Sequence, residues 1–399
     1  MILKNGVNLI VEKREHTQTV SLTLMIKGGL FRENSNNYGI GELFSNVWLR
    51  SNDILDSTEY YGGAIYTSIS NDYSEMGFSV VTEFAHKILH DLDIFINSPK
   101  FDDKVFEIEK NIQLNRIKSS RDNANSVAAI GFNKATYGNF VYSQETFGTM
   151  ETVSKIGLND LRDYYKNLLK GKDIIVSVAG NFDDKLLDEI KNIFEKVPDG
   201  ESSFVMNCEG SEIKYDNYVV EEHDRIKQAK LFIGYNAPSA NDKNYHAIKL
   251  LSDILGGGMS SKYFNILRKD KGYAYAVGSF YPSRLCSSRF VAYIGLQYEN
   301  VEDAIKTMDS INKNIVQYIS EADLEANKNY ILGKVLSEAQ TNSKISWYNA
   351  FFTNLGLGTH YLNKYIEIIK SLTIEDILRG ADIFKKPKTI YVLKPKESK

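Results

Sequence analysis

Cysteine is nearly absent from this chain: Cys208 and Cys286 are the only two among 399 residues. Two cysteines cannot build the disulfide framework of a small secreted domain, and they point to a reducing, cytoplasmic compartment. Histidine is also scarce, and six imidazoles leave few ligands from which a metal centre could be drawn. The low proline count, also six, suits long helices joined by few rigid loops. No run of about 18 apolar residues occurs, which excludes a membrane-spanning helix. The amino terminus, MILKNGVNLIVEK, alternates apolar and polar residues like a strand and lacks the apolar centre of a signal peptide. Excess charge of one sign is missing too. With 48 Lys+Arg against 51 Asp+Glu the net charge is -3, and without a basic stripe nucleic acid is not the expected partner.

What is present is a duplication. Residues 153–178 and 369–394 share a pattern of helix followed by β-branched strand at a constant offset of 216, which sets Ile156 on Leu372, Asp160 on Asp376, Lys172 on Lys388 and Ile174 on Ile390. Other elements recur in the same order. Strand Val20–Ile26 and the helix near 39–50 correspond to strand Lys230–Ile233 and the helix near 242–255, and helix Val105–Lys118 corresponds to Leu324–Leu336. The Pro-, Gly- and Ser-punctuated stretch beginning VPDGESSF reads as a linker. The organisation expected is therefore two homologous domains, 1–196 and 216–399, joined by a linker at 197–215. Each half mixes strands with amphipathic helices, and Gly62–Val81 reads as a hairpin turning near Ser70–Asp72. The fold class is α+β, each domain a mainly antiparallel sheet with helices packed on one face.

Most motifs suggestive of catalysis dissolve on inspection. His86 and His90 lie four apart on a predicted helix, Glu83–Ile96, whose apolar face is Phe84, Ile88, Leu92, Phe95 and Ile96. Both histidines then face solvent, and no glutamate stands between them to act as a base. His16, His223, His246 and His360 are isolated. No Gly-x-Ser-x-Gly elbow occurs, and Gly256–Gly258 follows a helix and lacks the Lys-Ser/Thr ending of a phosphate loop. The stretch DILGGGMSSKYFNILRKDKGYAYAVGSFY (253–281) is more distinctive. It reads as a helix ending at glycines, a second helix capped by Ser260 or Ser261, and a strand over Tyr273–Phe280. Arg268 in the last helical turn and Tyr275 on the strand place a guanidinium and a phenol at one junction, a pairing that donates hydrogen bonds to a carbonyl or oxyanion. The alternative from spacing alone is a surface Arg paired with a carboxylate and a Tyr packed in the sheet.

The same stretch resembles the second half of the pitrilysin/insulinase-type metallopeptidases, the inverted zincins that include mitochondrial processing peptidase. The matching residues are Leu255-Gly-Gly-Gly-Met-Ser-Ser, Leu267-Arg268-Lys269 and Gly272-Tyr-Ala-Tyr275-Ala-Val277. The Gly62-Gly63 hairpin, Thr146-Phe-Gly-Thr149 and the strand Asp173–Gly180 followed by Asn181-Phe182 extend the likeness over essentially the whole chain. Members of this family carry His-x-x-Glu-His on the helix after the first hairpin and a third ligand, Glu, on a later helix. The resemblance places Glu42 and Asn46 at the two histidine positions, Ser45 at the general base and Arg116 at the third ligand. It thus implies a degenerate zinc site in this chain, with no metal bound and no hydroxide nucleophile made at neutral pH. In heterodimeric members one chain keeps the zinc while its partner contributes Arg and Tyr to hold the substrate carbonyl. Arg268 and Tyr275 match that pair, with Tyr273 as the rival tyrosine. The function implied is a non-catalytic subunit acting on unfolded peptides beside a homologous, zinc-bearing peptidase, with neither nucleic acid nor membrane as partner. The alternative is an inactive peptide-binding or scaffold protein with no peptidase role.

Overall fold

The computed structural model describes residues 1–201, 204–274 and 276–396. It holds two five-stranded mixed sheets with the same topology. The first is built from β1 (Asn8–Lys13), β2 (Thr19–Lys27), β3 (Ala64–Ile69), β4 (Tyr73–Val81) and β5 (Ile174–Gly180), in the order β1-β5-β2-β4-β3. The second is built from β6 (Asn217–His223), β7 (Ala229–Ala237), β8 (Ala276–Phe280), β9 (Ser288–Leu296) and β10 (Lys388–Pro395), in the order β6-β10-β7-β9-β8. In each, the first and last strands pair in parallel and every other pairing is antiparallel. This is the two-domain α+β duplication expected from the repeat.

The offset of 216 has a physical cause that the structure makes plain. Asp160 and Asp376 both occupy the third position of a helix and accept from the backbone N–H of the residue that starts it, Gly157 at 2.7 Å and Thr373 at 2.9 Å. Each copy thus keeps the carboxylate that satisfies an orphan helix donor before the chain enters β5 or β10. The hairpin likewise turns where expected, between Ile69 and Tyr73.

The chain forms two compact units. The first contains residues 1–118, 145–206 and 336–363; the second contains 119–144, 207–335 and 364–399. In the first unit β2 alternates by the pleat. Val20, Leu22, Leu24 and Ile26 enter the main core, each contributing about 1.5–3 kcal/mol on burial. Ser21, Thr23 and Met25 face the other way and are also buried. They are covered by the helix Asn342–Asn354 from late in the chain, whose Ser346 hydroxyl donates to Ser177 O at 2.7 Å and whose Ala350 packs on Ile10, Met25 and Ile175. In the second unit the helix Ala124–Tyr137, from early in the chain, lies on β10, with Ala128 and Phe132 against Tyr391 and Leu393. Gly131 is required there, since a Cβ would stand 2.0 Å from the Tyr391 hydroxyl. Helices therefore cover a second face of each sheet as well as the one expected.

The cysteines depart from the sequence expectation. Cys208 and Cys286 are joined as a disulfide, with Cα atoms 5.2 Å apart. They are 78 residues apart in the chain, and only the fold, which lays the segment after Met206 against the loop preceding β9, brings them together. Cysteine usage thus gives no support to a reducing compartment. Among the described residues no helix is long and apolar enough to cross a membrane.

Candidate functional site

Two clusters carry the residues singled out above, one in each unit, beginning with the zinc-site positions. The helix Ile40–Arg50 opens at Gly39, whose φ of 96° needs a glycine. Its first donors are satisfied by a residue the sequence reading passed over. The Glu33 carboxylate accepts from Gly39 N at 2.8 Å and Gly41 N at 3.0 Å. Burial pushes this carboxyl up to about 8, prevailing over the two backbone N–H groups that favour the ionised form. Nothing in the local sequence announces this contact, because the acceptor precedes the helix by several residues.

The helix Asp103–Ser120 is clamped to the same place. Gln113 Nε2 donates to Gly39 O and to Phe147 O, both at 2.9 Å, and one turn later Arg116 reaches Glu42. The Arg116 Nη1 to Glu42 Oε1 distance is 2.5 Å, and the guanidinium lies 5.1 Å from the Phe147 ring centroid. Phe147 is held by Gly148, where a Cβ would stand 2.1 Å from Tyr38 O. The motif Thr146-Phe-Gly-Thr149 thus builds the wall of this cluster. Ser45 is buried with its carbonyl accepting from Thr67 Oγ1 at 2.9 Å, and Asn46 is half-buried.

The structure therefore brings Glu42 and Arg116 together and places Ser45 and Asn46 on the same helix as Glu42. This donor set does not fit a zinc ion. It offers one carboxylate already neutralised by a cation, an amide and a hydroxyl, and the fourth member has no lone pair to give. Among the described residues no group of three or more His, Cys, Asp or Glu side chains could hold a metal. His86 and His90 are exposed, and His86 Nδ1 sits 2.7 Å from Glu189.

The second cluster surrounds Arg268. Gly256 allows the helix Tyr245–Gly256 to end against β8, since a Cβ would stand 2.0 Å from Ser279 N. The segment that follows, Phe264–Asp270, is π-helical rather than α-helical, and Lys271 N bonds Ile266 O at 3.1 Å, five residues back. Such wide turns are rare and often mark functional positions. This one is anchored at its start by Tyr263, fully buried, whose hydroxyl donates to Asn312 Oδ1 at 2.6 Å. Arg268, half-buried, projects over the Phe264 ring with the guanidinium 4.7 Å from its centroid. The rival tyrosine is engaged elsewhere: Tyr273 Oη donates to Asp303 at 2.9 Å, beside the Lys271–Asp303 ion pair. Tyr275 lies outside the described residues.

Residues 8–150 match "Insulinase (Peptidase family M16)", and residues 155–331 match "Peptidase M16 inactive domain". The chain belongs to the M16 peptidase family. Along 94% of its length this M16 chain is 26% identical to a Bacillus subtilis protein named "Uncharacterized zinc protease YmxG", covering 92% of that protein. It is 20% identical to a Helicobacter pylori protein named "Non-peptidase homolog YmxG" over 89% of this chain and 83% of that one. A crystal structure of a peptidase M16 inactive domain from Pseudomonas fluorescens shares the fold, with a TM-score of 0.90 at 16% identity, covering 100% of this chain and 98% of that one. The inactive-domain match and the non-peptidase relative fit a catalytically inactive member of the family.

Proposed function

We propose that this chain is the non-catalytic subunit of a heterodimeric M16 zinc peptidase, without zinc of its own, supplying Arg268 and Tyr275 to the active site of a homologous partner that carries His-x-x-Glu-His. The observation that carries the reading is the Arg116–Glu42 ion pair, which supports Arg116 as the residue that replaces the third zinc ligand. A water free of metal keeps a pKa near ~15.7 instead of about 7, so this unit makes no hydroxide at neutral pH. The second cluster supports the other half of the reading: Arg268, half-buried, sits on a π-turn that the buried Tyr263 anchors. A guanidinium and a phenol there would bind the carbonyl of an unfolded peptide and steady the developing oxyanion, a contribution of about 2.7–4 kcal/mol per donor in other enzymes. The engagement of Tyr273 by Asp303 supports Tyr275 as the phenol.

The test uses the assembled pair. Arg268→Ala and Tyr275→Phe should each lower turnover of a fluorogenic peptide by about 100-fold or more while the two chains still co-purify. Unchanged turnover in both variants overturns the assignment. The second reading, an inactive peptide-binding or scaffold protein, is favoured by the non-peptidase name of the Helicobacter relative. Affinity capture that recovers no homologue bearing the zinc motif would select it.

A further inference from the structure

The chain's only two cysteines meet within the second unit, where the segment that follows Met206 lies against the loop preceding β9. We propose that Cys208 and Cys286 form a reversible thiol–disulfide site that sets how firmly residues 205–210 are held. Their Cα separation of 5.2 Å falls in the range a disulfide needs. The two residues differ in exposure. Cys286 is 2% exposed and its backbone N–H donates to the Tyr142 hydroxyl at 3.2 Å, whereas Cys208 is exposed, in a stretch without helix or strand. Both cysteines, with Glu209, Lys214, Asn236 and Asp242, line a hollow of about 650 Å³.

The neighbouring contacts define what the disulfide controls. Downstream the chain is held by contacts that do not involve the disulfide: Arg289 Nη2 donates to Ser211 O at 2.7 Å, and the Asn236 side chain bonds both the N–H and the carbonyl of Ile213, at 2.9 and 2.8 Å. Upstream, the Phe204 ring lies 4.2 Å from the Arg32 guanidinium. Oxidised, the chain from Phe204 to its next anchor spans residues 205–207; reduced, the next anchor is Ser211 and the span is 205–210. The stretch between neighbouring anchors thus doubles from three residues to six.

The chemistry balances with a small disulfide as oxidant. The exposed Cys208 thiolate attacks one sulfur of R–S–S–R, giving a mixed disulfide and one RS⁻. The Cys286 thiolate then attacks Sγ of Cys208, closing the protein bond and expelling the second RS⁻. The two protein thiols lose two electrons and two protons, and the small disulfide is reduced to two thiols. Two equivalents of a free thiol reverse the sequence.

The full-length chain should be equilibrated in buffers of reduced and oxidised glutathione, its free thiols counted by alkylation and mass spectrometry, and its cleavage after Glu209 followed with a glutamate-specific protease. We expect both thiols to be blocked in oxidised buffer and recovered in reduced buffer, with cleavage about tenfold faster in the reduced chain, because proteolysis follows the opened population. Cys208→Ser should be cut rapidly in either buffer. Thiols that stay free in oxidised glutathione overturn the proposal, as does a disulfide that survives excess reduced glutathione, or equal cleavage in the two states. The wild-type comparison needs no variant to fold.

Discussion

Arg289 on β9 is the largest fully buried side chain among the described residues, at 1% exposure, and truncating it to methionine makes the sharpest stability test. Its guanidinium meets only uncharged oxygens: Thr136 Oγ1 at 2.9 Å, Ser288 O at 2.9 Å, Thr136 O at 3.0 Å and Ser211 O at 2.7 Å. The Tyr137 ring centroid is 4.1 Å away. Burial lowers the guanidinium's pKa, opposed by Tyr137 and Glu212, but arginine remains charged throughout the ordinary pH range. Arg289→Met keeps much of the volume and removes the charge, so no desolvated cation is left behind. What it leaves is three carbonyls and a hydroxyl without donors, at roughly 1–3 kcal/mol for each buried group that water cannot reach. Relief of the buried charge offsets part of that sum. The net expectation is a loss of about 3–5 kcal/mol, measured by urea unfolding with far-ultraviolet circular dichroism. Hydrogen exchange should locate the loss at the end of helix Ala124–Tyr137 and at Ser211. A loss below about 1 kcal/mol, or exchange that quickens elsewhere while those sites stay protected, would refute this account of the anchor.

Two further predictions concern the packed core and the helix that carries Glu42, Ser45 and Asn46. Gly131→Ala should destabilise by about 1–3 kcal/mol in chemical denaturation despite the roughly 1 kcal/mol gain in helix propensity, because the new methyl meets the buried Tyr391 hydroxyl; an unchanged midpoint contradicts it. Glu33, with its carboxyl raised from 4.5 to about 8 by burial, holds a proton in the folded chain that the unfolded chain has released. Its contribution is therefore fully present below about pH 4.5 and lost as pH rises towards 8, at up to about 1.4 kcal/mol per unit. Glu33→Gln should flatten that decline in denaturant midpoints measured across the range; the same slope in both proteins contradicts the assignment.

The parts of this structure legible in the sequence are those fixed by short-range chemistry. Asp160 and Asp376 announced the repeat because a helix start demands a carboxylate at that position, and the Ser70–Asp72 turn stood out between two alternating runs. The exchange of helices was invisible. The face of β2 that receives Asn342–Asn354 carries Ser21 and Thr23, polar residues that are nonetheless buried and give no apolar signal of a covering helix. The Cys208–Cys286 bond depends on two segments 78 residues apart, beyond any spacing argument. At the candidate site, the resemblance picked out residues 42, 45, 46 and 116 as the positions to inspect. That Arg116 closes on Glu42 over Phe147, and that Arg268 rides a π-turn, required the fold. A change of hydrogen-bond partner from four to five residues back leaves no signature in the apolar pattern.

The central claim is that this chain serves zinc chemistry it does not perform. It is tested most directly by purifying the chain alone, and together with a co-expressed homologue bearing His-x-x-Glu-His, then measuring zinc by elemental analysis and turnover of a fluorogenic peptide in each sample. We expect no stoichiometric zinc and no turnover from the chain alone, and one zinc per pair with turnover well above that of the homologue by itself. One tight zinc per isolated chain, with peptide cleavage that a chelator abolishes, would contradict the account.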